Sequence, residues 1–182
     1  LRSPRAIPAF NNAAVDGYAF NSKDLNLKVE NTLNITQIIY AGDNTPTPMK
    51  IGEAARIFTG APLPEGADTV IMQEDICDQG TPPSEGRVTL PAGIEGGCNW
   101  RPQGEDMQQG QLILRKGQRL KPQDIGGAAA MGFAEIDVYA PLKVALFSTG
   151  NEIQDPGSAL KEGHIYDVNR YMLMSQLAQM GA

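Results

Sequence analysis

Histidine, cysteine and tryptophan are scarce in this chain, which has one, two and one of them. The single histidine, His164, lies in a Gly-preceded loop with no second ligand at metal spacing, and it is not assigned as a metal ligand. Cys77 and Cys98 lack both the CxxC-like spacing and the further ligands of a zinc site; they are expected to be reduced thiols of a cytoplasmic protein. Long apolar runs are missing as well. None approaches the ~20 residues of a membrane span, so no membrane partner is expected. Around Leu1 there is neither a basic nor an apolar leader region. The expectation is therefore that no signal peptide is present and that the natural N-terminus lies further upstream. A surplus of positive charge is also lacking. The net charge of −6 argues against a general nucleic-acid binder, which would present a basic face. With 41% hydrophobic and 20% charged residues, the 182-residue chain has ordinary globular composition and is long enough for one or two domains with a real core.

The chain does contain three short acidic, Gly-flanked motifs far apart in sequence. They are Val15-Asp16-Gly17-Tyr18-Ala19, Arg101-Pro102-Gln103-Gly104-Glu105-Asp106 and Ser148-Thr149-Gly150-Asn151-Glu152. Glycine lets the backbone turn tightly and approach a ligand. Converging carboxylates could hold a hard cation such as Mg²⁺ through oxygen ligands, and backbone N–H groups freed at glycines could meet an oxyanion. Any one of these acids alone reads equally as a solvated loop, and Asp16-Gly17 alone reads as a hairpin turn. Arg101, Arg115, Lys116, Arg119 and Lys121 concentrate positive charge in one third of the chain; all but Arg101 also fit a solvated surface.

The first hundred residues read as short strands broken by Gly and Pro, a compact β-rich module of barrel-like type. Strands are expected at 32–41, 67–74 and 87–90, with a turn-rich loop at 79–86 and a short helix near 51–56. Further along, a strand is expected at 111–114, a turn at 116–118, and a helix from Pro122 to Met131 stopped by Gly132. Residues 135–139 alternate like a half-buried strand. Residues 143–148 are continuously apolar, as a buried parallel strand would be. Met172, Leu173, Leu177 and Met180 recur at helical spacing over 168–180, with Asp167 or Asn169 as cap. Strand, glycine loop and helix are how a doubly wound α/β domain opens, and such sheets bind ligands beyond the carboxyl ends of their strands, where Thr149, Gly150 and Glu152 would fall.

Several segments carry a family resemblance. The stretches Pro8–Ala19, Arg56–Asp68 with Gln73-Glu74-Asp75, Asn99-Trp100-Arg101 with Gly104-Glu105-Asp106, and Ser148–Glu152 followed by Gly163–Asn169 keep their order along the chain. Together they resemble the molybdopterin molybdenumtransferases, the bacterial MoeA type related to the gephyrin E domain. Ala13, Val15 and Phe58 depart from that pattern at packing positions and leave the polar ones intact. The resemblance implies a mixed β and α/β multidomain fold. A β-rich inserted domain would span 9–107, a linking domain 1–8 and 108–140, and the start of an α/β molybdopterin-binding domain 141–182. The implied function is molybdenum cofactor biosynthesis: molybdenum from molybdate enters adenylylated molybdopterin with release of AMP. A gephyrin-like scaffold is the alternative. Three intact acids at glycine turns favour the enzyme, because a scaffold has no physical need for them.

By the same resemblance Asp16, Asp106 and Glu152 are the functional carboxylates and candidate metal ligands, with Mg²⁺ as cofactor. Thr59, Gly60, Arg101, Thr149 and Gly150 are expected to contact substrate, Arg101 through its planar fork of donors. The expected assembly is a homodimer whose site is shared between chains, and molybdopterin adenylyltransferase could be a further partner.

Overall fold

The computed structural model describes residues 1–26, 28–44, 46–76 and 86–181. They form two compact units, Leu1–Ala134 and Glu135–Ala182. Strands dominate and helices are few. In the first unit, β1 (Asn12–Ala13) and β2 (Gly17–Phe20) are followed by β3 (Asn31–Ile39), β4 (Glu53–Ile57), β5 (Thr69–Met72), β6 (Arg87–Leu90) and β7 (Trp100–Arg101). Five of these make one sheet in the order β5-β2-β4-β3-β6, antiparallel except where β3 runs parallel to β4. β1 and β7 form a separate antiparallel pair. Among the described residues the sheet runs from β5 to β6 without closing, an open sheet where a barrel-like module is expected.

Both faces of this sheet are covered, because alternate residues of a strand point to opposite sides. Tyr18 and Phe20 of β2, Ala54 of β4 and Ile71 of β5 share one cluster with Leu33, Val88 and Leu90. Ala19, Ala55, Ile57 and Val70 share the other with Ala13, Ile39 and Ala61. Strand β3 serves both clusters by an irregularity. Its pairing with β4 steps from Ile35↔Ala54 to Gln37↔Ala55, one extra residue on β3. Leu33 and Ile35 therefore face the first cluster, while Ile39, of the same parity, is turned to the second.

The short helix expected near 51–56 is not formed; Glu53–Ile57 is the central strand of the sheet. Alanine favours helix in isolation, but Ala54 and Ala55 are fully buried between two neighbouring strands. Their small side chains let both sheet faces pack closely, and tertiary context overrides propensity. The loop expected at 79–86, like Cys77, lies almost wholly outside the described residues. Cys98 is a free thiol whose Sγ donates to the Glu95 carbonyl at 3.1 Å, and burial pushes its pKa up.

The two ends of this unit run side by side. Ile7 and Met107 exchange backbone hydrogen bonds at 2.8 and 3.0 Å, and Ser3 N donates to Gln111 O at 3.0 Å. The strand expected at 111–114 is reduced to a single bridge, Leu112 with Arg2. Helix α1 (Pro122–Ala130) begins at its proline. The Asp124 carboxylate accepts from Lys121 N at 2.8 Å, Met131 is buried, and Gly132 at φ +89° ends the helix.

In the second unit, β8 (Ile153–Gln154) and β9 (Ile165–Tyr166) pair in parallel, and α2 (Val168–Met180) follows. Asp167 caps α2 by accepting from Arg170 N at 3.0 Å, and Gly181 closes it at φ +85°. Asn169 lies inside the helix. The strands expected at 135–139 and 143–148 are absent. A strand exists by pairing, and no described segment pairs with either one; Leu142 and Phe147 are 77% and 83% exposed. No described helix is long and apolar enough to cross a membrane.

Candidate functional site

Asp16 stands immediately before β2, at the end of the sheet where its two antiparallel neighbours finish. Gly17 is opposite Ile57 of β4 and Met72 of β5, so the residues just beyond those strands, Thr59 and Gln73, meet Asp16. One carboxylate oxygen of Asp16, Oδ1, accepts from Thr59 N at 2.8 Å and from Thr59 Oγ1 at 2.6 Å. Gln73 N donates to the Asp16 carbonyl at 3.1 Å. The Thr59 hydroxyl and then its amide hold the Asp16 carboxyl below the ordinary aspartate range, with the Arg56 charge a smaller contribution and desolvation opposing. The expected substrate-contacting hydroxyl of Thr59 is thus engaged by Asp16. Gly60, at φ +82°, makes the turn that returns the chain to β1 by donating its N–H to Ala13 O at 2.9 Å.

Gly17 itself is dictated by close approach. A Cβ there would lie 1.8 Å from the carbonyl oxygen of Ile71, so no other residue lets β2 sit on β5 in this way. Tyr18 is buried in the core with the Arg56 guanidinium over its ring.

The second acidic group hangs from β7. Arg101 donates through Nε to Glu105 Oε2 and through Nη2 to Asp106 Oδ1, both at 2.6 Å. The loop carrying these acids is clipped to the start of the chain: Gly104 N donates to Pro8 O at 3.0 Å, Asp106 N to Ile7 O at 2.9 Å, and Gln103 N to Asn11 Oδ1 at 2.8 Å. Asn99 enters β7 at φ +60°, a left-handed conformation that asparagine tolerates. Its side-chain amide donates to Val70 O at 2.9 Å.

Arg101, expected to contact substrate, is here engaged by the two acids of its own loop. One guanidinium faces two carboxylates, Glu105 first and then Asp106, which hold it firmly protonated and leave one negative charge uncompensated. The three side chains are 41%, 44% and 47% exposed, and ion pairs this exposed to solvent contribute little to stability. An incoming ligand can rearrange this group at little cost.

Both groups are tied to β1. Asn12 and Ala13 pair with Arg101 and Trp100, and Ala13 also bonds to Ala61 and Gly60. The described residues contain no group of three or more His, Cys, Asp or Glu side chains able to hold a metal. Asp16 and Asp106 each keep one carboxylate oxygen without a hydrogen bond among the described residues. Mg²⁺ commonly takes one or two carboxylates and completes its shell with water and substrate phosphate oxygens; the donor set fits that pattern.

In the second unit Thr149, Gly150 and Glu152 form an exposed loop leading into β8. Gly150 is at φ +149°, and a Cβ on it would come within 2.5 Å of the Glu152 carboxylate, which folds back over it. A cavity of about 240 Å³ beside this loop is lined by Ser148, Thr149, Asp167, Asn169 and Arg170 among others. Asp167, Arg170 and Asp155 are joined there, Arg170 Nε lying 3.1 Å from Asp167 Oδ2.

Sequence reading missed Arg56, Gln73 and Glu105 as members of these groups. All three stand inside the quoted motifs, and only the register of β2 against β4 and β5 shows that Arg56 and Gln73 reach the Asp16 turn.

Residues 1–132 match the family described as the MoeA N-terminal region, domain I and II. The chain is 36% identical over 178 residues to the molybdopterin molybdenumtransferase of Haemophilus influenzae, covering 98% of this chain and 43% of that protein. It is 34% identical over 187 residues to the one from Synechococcus elongatus, covering 100% and 45%. A solved molybdopterin biosynthesis MoeA protein from Pyrococcus horikoshii is similar with a TM-score of 0.85 at 34% identity, over 100% of this chain and 46% of that one. The chain thus spans somewhat less than half the length of the relatives it matches. On the extent of these matches, the chain belongs to the MoeA family, its residues 1–132 being the family's N-terminal region.

Proposed function

We propose that the protein containing this chain is a molybdopterin molybdenumtransferase, which transfers molybdenum from molybdate to adenylylated molybdopterin and releases AMP. The observation that carries this is the pair of acidic groups, Asp16 on Thr59 and Asp106 on Arg101, in a chain similar over nearly its whole length to relatives that bear that name. Their chemistry supports it. A substrate with phosphate and oxyanion charges approaches a surface where the carboxylates of Asp16, Glu105 and Asp106 outnumber the guanidinia of Arg56 and Arg101, and a divalent cation resolves that conflict. Mg²⁺ would be held by Asp16 and Asp106 and would neutralise phosphate charge. The chain's own residues then orient and bind: the Thr59 hydroxyl and amide fix Asp16 in its ionised form, and Arg101, once released from Glu105, offers its fork to an oxyanion. On the second unit, Thr149 and Gly150 are the residues assigned to substrate and Glu152 is the functional carboxylate.

The paired ends of the first unit, 1–7 against 107–113, support reading 1–8 and 108–140 as a linking domain around a β-rich insertion at 9–107, with 141–182 opening the α/β domain. The working state is a cytoplasmic homodimer whose site takes Asp16 and Asp106 from one chain and Glu152 from the other. The test uses the full-length protein. Asp106→Asn and Glu152→Gln should each lower molybdenum insertion about 10²–10³-fold with melting unchanged. Mixed under subunit exchange, they should regain part of the activity through one undamaged pocket per mixed dimer. Undiminished insertion by Asp106→Asn refutes the enzyme assignment of that acid. A mixture as inactive as its parents, with exchange verified, refutes the shared site.

A further inference from the structure

Arg56, a half-buried residue of β4, is engaged on several sides at the Asp16 turn. Its Nη1 donates to Gly17 O at 2.8 Å and its Nη2 to Gln73 Oε1 at 2.5 Å. The same guanidinium lies 5.1 Å from the Tyr18 ring centroid and 4.5 Å from that of Phe58. Phe58 is in turn stacked on Tyr40, with centroids 4.9 Å apart and planes 7° from parallel. The Asp16 turn is thereby held at three points. Thr59 grips its carboxylate, the Gln73 amide grips its carbonyl, and Arg56 joins the next carbonyl to the side chain of that same Gln73. Only a planar fork can donate in two directions while two ring faces fix its plane; a lysine ammonium offers a point charge on a flexible stem.

We infer that Arg56 is a positioning residue for Asp16: it clamps the Asp16-Gly17 turn between the ends of β4 and β5 so that the carboxylate stays presented on Thr59. This rests on the functional reading of Asp16 given above and adds a residue to it. A misplacement of about 1 Å in a catalytic group can cost up to about 10²-fold in rate. Removing the clamp should therefore act on kcat more than on KM, since Arg56 itself touches only protein.

The experiment has two arms. In the first, hydrogen exchange of the Thr59 and Gln73 backbone amides, both of which donate to Asp16, is followed by NMR in the 182-residue chain, as wild type, Arg56→Met and Arg56→Lys. Both amides should exchange faster in Arg56→Met and at an intermediate rate in Arg56→Lys, with the β3 and β6 amides unchanged. In the second, insertion kinetics of the full-length protein should show kcat lowered at least about tenfold in both variants, with KM within about threefold of wild type. A folded Arg56→Met whose Thr59 and Gln73 amides exchange no faster, relative to the rest of the sheet, than in wild type overturns the inference, even if its melting temperature drops, because a purely structural arginine would behave that way. Should Arg56→Met not fold, Arg56→Lys decides: kcat within twofold of wild type overturns the need for a fork. If wild type itself shows no insertion, the functional reading fails while the exchange arm still judges the clamp.

Discussion

Replacing Gly17 by alanine offers the sharpest test of how this structure presents Asp16. The added Cβ would lie 1.8 Å from the Ile71 carbonyl oxygen and 2.8 Å from its carbon. Carbon and oxygen approach no closer than about 3.3 Å even in favourable contacts, so β2 and β5 must separate by roughly 1.5 Å at that point. Both neighbours of the clash are backbone, and neither can swing aside. Overpacking of this kind costs about 1–3 kcal/mol or more, and each ladder hydrogen bond lost adds about 1 kcal/mol. The expected loss is about 3 kcal/mol or more, or roughly 6–12 °C in melting temperature for a chain of this length. Gly60→Ala is the control. Gly60 also stands beside Asp16, but the nearest atom to its Cβ would be the Ala41 Cβ at 3.8 Å, leaving only the left-handed penalty at φ +82°, about 1–2 kcal/mol. Differential scanning calorimetry of both variants decides. If Gly17→Ala melts no lower than Gly60→Ala, the close approach of β2 to β5 is wrong, and with it the placement of Asp16 against Gln73.

Local chemistry made much of the fold legible. The β-branched run of β3, the apolar Thr69-Val70-Ile71-Met72 and the Pro122-to-Gly132 helix all form within a few residues of where composition puts them. Failures occurred where pairing rather than propensity decides. Ala54 and Ala55 look helical until two neighbouring strands need small residues between them. Residues 143–148 look like a buried strand, yet they have no described partner and all but Leu146 are exposed. The extra residue in β3, which sends Leu33 and Ile39 to opposite faces, leaves no trace in the hydrophobic pattern.

The candidate site was legible as residue types and less so as relations between them. Asp16, Thr59, Arg101 and Asp106 were singled out by glycine turns and by resemblance. That Thr59 would give its hydroxyl to Asp16, and that Arg101 would be held by two acids, depends on strand register and loop closure over separations of 43 residues in the first case and 4 and 5 in the second. Arg56 shows the limit most plainly. Its role follows from facing Tyr18 across β2 and β4 and from the side chain of Gln73 beyond β5, three segments that no sequence periodicity connects.

Two further outcomes are expected. In Thr59→Val, Asp16 loses its hydroxyl donor but keeps the Thr59 amide, so its carboxyl should titrate at higher pH. A depressed folded-state pKa favours folding above the unfolded value of about 3.9 and is lost as pH falls through the lower folded value. The acid-unfolding midpoint should therefore shift upward below about pH 4, and an Asp16 carbon titration identical to wild type would contradict the hydrogen-bond assignment. The last concerns Asp167, whose side chain is only 4% exposed while it caps α2 and pairs with Arg170. Asparagine can still accept from Arg170 N but cannot balance the guanidinium, whereas alanine does neither. Losing the cap costs about 0.5–2 kcal/mol, and that loss should fall on the second unit alone. Amide hydrogen exchange in α2 should accelerate more in Asp167→Ala than in Asp167→Asn, with β2–β5 amides unchanged in both. Equal exchange in the two variants would mean that the ion pair, and not the cap, sets where α2 begins.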